Sequence, residues 1–318
     1  MWISPFRLSR FGMLGMNCRN RDFIGRYNPR HLFPLVDNKL KTKLLATEYN
    51  LATPQLRFVL REQHQIAHVQ ERISALHGFA IKPAKGSGGK GIWVVTGRDG
   101  EYFIKSSGVR VSLEDLRRHM SNILAGLYSL GGAADEVLVE DLIEFDDSFA
   151  GYSHEGVPDI RIIVFKGFPV MAMLRLATHA SDGKANLHQG AVGVGLDIGT
   201  GKSLNAVQFG RPIRLHPDTQ KPLKAIQMDN WQTMLQLASR CYEMTGLGYI
   251  GVDLVLDAKR GPELLELNAR PGLAIQIANG YGLLPRLRHV ESLTEKHYPN
   301  AEARVKYAME KFCATPLL

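Results

Sequence analysis

Two acidic residues late in the chain stand in segments that alternate like β-strands. In residues 249–256 the alternation places Asp253 on the face opposite the apolar side chains, and residues 263–268 repeat the pattern with Glu266 and Asn268. Two adjacent antiparallel strands would aim these carboxylates and the amide oxygen at one point, as a magnesium ion shared with substrate phosphates requires. Either acid alone could be an ordinary exposed residue of a half-buried strand. Because two strands carry the same pattern, a metal site is favoured.

A lysine in an apolar strand precedes a glycine-rich run. Lys82 ends the apolar segment 78–82, and a buried ammonium needs an anionic partner, which a nucleotide phosphate would supply. The run GSGGKG at 86–91 can bring backbone N–H groups to phosphate oxygens. A strand at 92–96 follows, so the run is predicted to be the tip of a hairpin, unlike the strand-to-helix order of a Walker A loop. A plain hairpin turn is the alternative.

The elements that would position these residues mix helices with short strands and hairpins, which indicates α+β lobes. A polar loop at 179–189 and a glycine-rich stretch at 190–201 separate the earlier strands from the last ones. We predict helices at 37–48, 69–76, 113–130 and 229–245, with more helix towards the C-terminus, and strands at 78–82, 92–96, 101–105, 136–143, 159–166, 169–178, 249–256 and 263–268.

Composition narrows the class of protein. The 318 residues are 45% hydrophobic and 22% charged, as in a soluble folded protein, and no apolar run reaches the roughly 18 residues of a spanning helix. A secretory signal is absent from the pattern, and Cys18, Cys241 and Cys313 show no metal or disulfide spacing. A cytoplasmic protein is therefore expected. The net charge of +8 favours anionic partners, but no nucleic-acid recognition element accompanies it.

Residues 1–36 form a basic leader with six arginines between Arg7 and Arg30. We expect helix docked on the main body, with contact to a membrane surface or a protein partner as the alternative. At the other end of the chain, a turn at 269–272 would place Arg270 near the phosphates of the predicted metal site. A plain surface arginine is the alternative for Arg270.

Together these segments resemble the ATP-grasp superfamily of carboxylate–amine ligases over about residues 36–285. Within it, the chain looks most like the RimK-like α-L-glutamate ligases, and its tail resembles the sugar-transfer-associated branch. The segments that carry the resemblance are Asn38–Lys43, Ile81–Pro83 with the glycine run, Val137–Ile143, Asp159–Arg161, Asn186–Gly190, Gly251–Asp253 and Glu266–Ile277.

The resemblance implies an ATP-grasp fold in which two α+β lobes grip ATP between them. A short N-terminal extension (1–36) would stand in place of a full preceding α/β domain. The N-terminal lobe would span 37–143, the C-terminal lobe with the metal site 144–290, and a helical tail 291–318.

Site roles follow from the same resemblance. Asp253, Glu266 and Asn268 would hold two magnesium ions, for which manganese could substitute, with Glu266 as the bridge. Glu140 and the segment that follows it would form the hinge that reads adenine. The ATP-binding residues would be Lys39, Lys82, Ser87, Gly88, Gly89, Glu140, Asp141, Leu142, Ile143, Asp159, Lys184 and Asn186. The catalytic residues would be Arg161, Arg175 and Arg270, and the substrate contacts His188 and Arg270.

The reaction implied is ATP-dependent amide or peptide bond formation through an acylphosphate. Lys184 and Gln189 replace arginines usual in the RimK-like family, and Arg270 replaces a small residue. Arginine suits a carboxylate-rich substrate, so glutamate or another acidic amino acid, added to a peptide or small acceptor, is expected. The alternatives are an ATP-grasp kinase acting on a hydroxyl or sugar, and a non-catalytic ATP-binding partner of a membrane enzyme.

Overall fold

A computed structural model describes residues 4–86, 88–144, 149–153 and 156–314. The chain contacts divide it into two compact units. The smaller unit comprises Asp37–Leu44 and Thr53–Glu144, and the larger comprises Met1–Val36, Leu45–Ala52 and Phe145–Leu318. The segments set apart above as leader and tail thus belong to the larger unit.

Both units combine helices with an antiparallel sheet, which confirms the α+β class. The helices are α1 (Pro5–Arg10), α2 (Met16–Cys18), α3 (Gly25–Tyr27), α4 (Pro34–Asp37), α5 (Lys39–Glu48), α6 (Val69–Ile73), α7 (Leu113–Leu124), α8 (Trp231–Thr245), α9 (Ile275–Asn279), α10 (Leu284–Glu291) and α11 (Ala301–Lys311). The strands are β1 (Leu56–Leu60), β2 (Phe79–Pro83), β3 (Trp93–Asp99), β4 (Tyr102–Lys105), β5 (Arg110–Val111), β6 (Val137–Asp141), β7 (Asp159–Phe165), β8 (Phe168–Leu176), β9 (Val192–Leu196), β10 (Ser203–Gln208), β11 (Arg211–Ile213), β12 (Tyr249–Asp257) and β13 (Gly261–Asn268). A stretch of π-helix, Arg19–Ile24, lies between α2 and α3.

The sheet of the smaller unit has the order β1-β6-β2-β3-β4-β5. Alternation along β2 sends Phe79 and Ile81 into a core shared with α7, and sends Lys82 to the opposite face. On that opposite face Leu138 packs against Leu40 of α5. The first turns of α5 therefore lie over the face that carries Lys82.

Helix α7 shows how local chemistry sets the limits of an element. It begins after Ser112, whose side chain accepts from the Asp115 amide while Asp115 bonds back to the Ser112 amide. Our prediction extended this helix to residue 130, which is wrong. The helix ends at Leu124 because Gly126 adopts a φ of 84°, a left-handed conformation that closes a helix.

The sheet of the larger unit has the order β11-β10-β9-β8-β7-β12-β13. Its register pairs Asp253 with Glu266 on β13 and with Arg161 on β7, and pairs Asp159 with Arg175 on β8. Directly opposed residues share one face of an antiparallel sheet. The predicted antiparallel pairing of the last two strands is confirmed, and it places this set of charged residues on one face.

Strand β9 was missed because its glycines favoured a loop. Gly195 is needed there because a Cβ at that position would lie 2.4 Å from the backbone oxygen of Ala278, near the end of α9. The glycines of 192–196 thus allow a helix to approach a buried strand closely.

The leader is helical and packs on the larger unit, as expected. Phe23 is 0% exposed and meets the ring of Phe165 edge-on at 5.5 Å. The Asn28 side chain accepts from the Tyr249 amide at 2.8 Å and donates to the Tyr249 carbonyl at 2.7 Å. Among the described residues, no helix has both the length and the apolar character needed to cross a bilayer.

Candidate functional site

An ionic network occupies the face shared by β7, β8, β12 and β13 in the larger unit. Arg161 donates to both carboxylate oxygens of Asp253, with Nη2 2.6 Å from Oδ2. Arg175 Nη2 lies 2.8 Å from the same Oδ2, and Arg175 Nε donates to Asp159. The Asn268 amide nitrogen is 3.4 Å from Asp253 Oδ2. Five predicted site residues are therefore brought together.

Burial makes this network electrostatically strong. Burial alone would raise the pKa of Asp253, but the charges of Arg161 and Arg175 hold it below its usual value. For Asp159, burial raises the pKa, Arg175 opposes the rise, and the nearby charge of Asp253 adds to it. The arginines therefore keep Asp253 ionised in a place where an isolated carboxylate would be costly.

The oxygen donors on this face suit magnesium in kind. Asp253, Glu266 and Asn268 offer two carboxylates and an amide oxygen, and the last two are half-buried. Among the described residues, no group of three or more His, Cys, Asp or Glu side chains lies close enough to hold a metal ion. The predicted set has only two such side chains besides its amide. Metal ligation by Asp253 stays a prediction, and it requires the carboxylate to exchange arginine bonds for the ion.

Other predicted residues of the larger unit lie on loops. Lys184 Nζ is 3.1 Å from the exposed Asp182. The Asn186 side chain accepts from the His188 amide at 3.0 Å, which caps a short helical turn and leaves the His188 side chain exposed. Arg270 is exposed, with its guanidinium 5.1 Å from the centroid of the Phe33 ring. Their predicted substrate and nucleotide contacts stay predictions.

In the smaller unit, Lys82 has an intramolecular anionic partner. Its Nζ lies 2.7 Å from Glu140 Oε2, and Lys43 Nζ lies 3.2 Å from Glu140 Oε1. Burial alone would raise the pKa of Glu140, but Lys82 and Lys43 together lower it. Our argument that a nucleotide phosphate must supply the counter-charge of Lys82 is thus corrected, because Glu140 supplies it.

Lys43 was missed, although the sequence carried a signal for it. Lys39 and Lys43 stand four residues apart on α5, and residues at that spacing share one face of a helix. The spacing therefore predicts that Lys43 faces the same side of α5 as Lys39.

The glycine-rich run is held at its start by a predicted site residue. Lys39 Nζ donates to the Gly86 carbonyl at 2.7 Å. Gly88 and Gly89 have φ of 63° and 74° with open space around them, so glycine is required there for its conformation. Ser87 lies outside the described residues.

The end of the run is fixed by aromatic packing that the sequence analysis missed. His119 Nε2 lies 2.9 Å from the Gly91 carbonyl oxygen, and the His119 ring stacks on Trp93 at 4.0 Å between centroids. Burial lowers the pKa of His119 to about 4, so the ring is neutral and donates to Gly91. No residue spacing in the sequence indicates that α7 contacts this loop.

The predicted adenine hinge begins where β6 ends. Asp141 is paired with Arg57 of β1, with 2.8 Å between Arg57 Nη2 and Asp141 Oδ2. Leu142 and Ile143 follow in irregular backbone and are half-buried. Adenine recognition by this segment stays a prediction.

The model of the sugar-transfer associated ATP-grasp family matches residues 18–292, so the chain belongs to that family and has the ATP-grasp fold. Among curated proteins, none matches this sequence.

Several solved structures are similar to the chain at low identity. The ATP-grasp ligase PsnB, complexed with a minimal precursor, is 14% identical with a TM-score of 0.43, covering 90% of this chain and 63% of PsnB. D-alanyl-alanine synthetase A from Vibrio cholerae is 11% identical with a TM-score of 0.47, covering 87% and 65% of the two chains. D-cycloserine synthetase DcsG is 15% identical with a TM-score of 0.46, covering 93% and 82%. The chain thus spans less than two thirds of the length of PsnB.

Proposed function

We propose that this protein is a magnesium-dependent ATP-grasp ligase that forms an amide or peptide bond through an acylphosphate. The observation that carries the proposal is the buried face where Asp253, Glu266 and Asn268 adjoin two arginines. Guanidinium groups suit phosphate oxygens, and carboxylate and amide oxygens suit magnesium. Family membership supports the nucleotide as ATP.

In the larger unit, the arginines would neutralise the moving phosphoryl group. Arg161 and Arg175 are oriented by Asp253 and Asp159, and the donors that they release when Asp253 binds a metal ion would meet the developing charge. Two magnesium ions bound by the three oxygen-bearing side chains would offset further charge on the phosphate oxygens. Arg270 would bind an acidic substrate, with its guanidinium oriented by Phe33.

In the smaller unit, Lys82 and Lys39 would contact phosphates of ATP. Lys82 is buried and oriented by Glu140, and Lys39 lies at the start of the glycine-rich run. Backbone N–H groups around Gly88 and Gly89 would donate to phosphate oxygens. Glu140 and residues 141–143 would bind the adenine.

The products separate this proposal from its rival. Purified protein should be incubated with ATP, magnesium and a library of amino acids and Glu-containing peptides, with products read by mass spectrometry. A ligase releases ADP and phosphate only when both a carboxylate and an amine substrate are present. Because the family is associated with sugar transfer, an ATP-grasp kinase acting on a hydroxyl or sugar is the second candidate. ADP without free phosphate, together with a phosphorylated hydroxyl compound, would select the kinase.

A further inference from the structure

Lys43 of α5 contacts the same carboxylate as Lys82 and uses all its donors within the protein. Its Nζ lies 3.2 Å from Glu140 Oε1, donates to Thr53 Oγ1 at 3.0 Å, and donates to the Pro54 carbonyl. An ammonium group has three N–H donors, and three acceptors are in place. Lys43 is therefore built to hold protein groups, and direct contact with a ligand would cost one of these bonds.

Lys43 holds the carboxylate of Glu140, which is bound by lysines of two different elements. Lys43 on α5 binds Oε1, and Lys82 on β2 binds Oε2 at 2.7 Å. The side chains of the three residues are 8%, 10% and 4% exposed for Lys43, Lys82 and Glu140. A carboxylate bonded at both oxygens in such a place has a fixed orientation.

The net charge of the cluster formed by Lys43, Lys82 and Glu140 favours the binding of an anion. Two ammonium groups and one carboxylate leave one excess positive charge in a region that water hardly reaches. Arg57 and Asp141, the charged pair on the adjoining strands, neutralise each other and leave that excess unchanged. Without Lys43, Glu140 would neutralise Lys82 one to one, and the attraction for a phosphate would weaken.

We propose that Lys43 is a positioning residue for nucleotide binding, which offsets the charge of Glu140 and fixes its orientation, so that the positive charge of Lys82 is available to a polyphosphate. The inference rests on the proposed function, because it takes the ligand to be ATP. A purely structural role is the competing explanation, since Lys43 also ties α5 to the backbone at Pro54.

The pH dependence of ATP binding distinguishes the two roles. Removing Lys43 raises the pKa of Glu140, because one of the two cations that stabilise the carboxylate is lost. As the pH falls, Glu140 of the variant takes up a proton and no longer neutralises Lys82, so the loss of ATP affinity should diminish. ATP titrates too, so the quantity to follow is the ratio of the variant and wild-type dissociation constants at each pH.

Calorimetric titration with ATP and magnesium should compare wild type with K43M, K43R and K41M. Lys41 is an exposed lysine on the same helix, so K41M controls for the loss of one charge. We expect K43M to bind ATP about tenfold more weakly at neutral pH, and the ratio to shrink towards acidic pH. K43R, which keeps the charge, should restore a pH-independent ratio, and K41M should match wild type.

Other outcomes overturn the proposal. A K43M ratio that stays constant with pH, together with lowered stability towards urea, would assign Lys43 a structural role only, and a ratio of one would remove any role. If K43M does not fold, K43Q keeps hydrogen-bond donors without the charge and is read in the same way. Wild-type protein that binds no ATP would overturn the proposed function as well, whereas the variant ratios bear on Lys43 alone.

Discussion

Single buried charges in this protein are stabilised by specific partners. Asp253 illustrates this, because Arg161 and Arg175 compensate the cost of removing its carboxylate from water. The ion pairs add little net stability, because their bonds mainly repay the cost of burying the charges. Removal of one member is nevertheless strongly destabilising, because it leaves buried charge without compensation. Loss of Asp253 would leave two buried guanidinium groups without their shared partner.

The substitution D253N tests this dependence. We expect it to lower the free energy of unfolding by about 3–5 kcal/mol, because it removes the anionic partner of Arg161 and one of the two anionic partners of Arg175. Urea denaturation provides the measurement. The matched control is D182N, at an exposed acid paired with Lys184, which should change stability by less than about 0.5 kcal/mol. Equal effects of the two substitutions would contradict the account.

At the residue scale, the sequence predicted which charged side chains share a face better than it predicted which side chains bond to each other. Alternation alone placed Asp253 and Glu266 opposite each other, because strand period and pairing are local rules. The partner of Lys82 lies 58 residues away on β6, and no local rule supplies such a distance. For this reason, the sequence led us to predict a nucleotide phosphate as the anionic partner of Lys82.

The glycine-rich hairpin depends on elements that surround it. Its first residue is held by Lys39 from α5, and its last by His119 from α7. Between these anchors, Gly88 and Gly89 have open space around their Cα atoms. The ends of the hairpin are thus fixed, while its middle has room for a ligand.

Alanine substitutions should separate the anchored end from the middle. Gly91→Ala should destabilise the protein more than Gly88→Ala, although both residues have positive φ. At Gly91 a Cβ would also lie 2.5 Å from the Tyr128 ring, and such overpacking costs about 1–3 kcal/mol. Urea denaturation of both variants is the measurement. A Gly88→Ala variant as unstable as Gly91→Ala would show that backbone conformation alone decides.

Stability should depend on pH through His119. Its pKa in the folded protein is about 4, below the unfolded value of about 6.5, so between these values the unfolded chain binds the extra proton. Stability from this group is therefore complete above the unfolded value and is lost as the pH falls towards 4. Urea denaturation across this range should show a smaller loss for H119Q than for wild type. Parallel curves for the two proteins would mean that His119 titrates normally.

The boundaries of helices and strands were predicted best where the residues that determine them are close in sequence. Helix α5 was placed within two residues, because its polar start and apolar spacing are both visible in the sequence. Strand β9 was missed because the need for glycine there comes from the distant α9, and a sequence shows the glycine without its neighbour. A tertiary contact thus accounts for the missed strand, whereas the wrong end of α7 has a local cause at Gly126.

Each unit of the whole molecule is assembled from segments that are separate in the sequence. The leader is part of the core of the larger unit, where Phe23 packs among aromatic residues of the sheet. Composition favoured docking on the main body and left membrane contact as the alternative, since a basic aromatic helix suits both. The buried contacts of Phe23 and Asn28 show docking, and a membrane contact through the exposed side chains stays a prediction.

Two phenylalanines of the leader allow a matched test. F23A should destabilise the larger unit by about 3–5 kcal/mol, because it empties a fully buried position. F11A should have little effect, since Phe11 is 63% exposed and contributes its backbone carbonyl to Gly282. Urea denaturation should be followed by tryptophan fluorescence. Comparable stability of the two variants would mean that the leader is dispensable to the fold.

The order of segments along the chain has a consequence for biosynthesis. Asn28 bonds to Tyr249, 221 residues later, whereas the sheet of the smaller unit is complete by residue 141. On a ribosome the smaller unit can therefore fold while the leader still awaits its strands. Until then the nascent chain presents Phe23 to the surroundings, and this interval is when a chaperone would bind it.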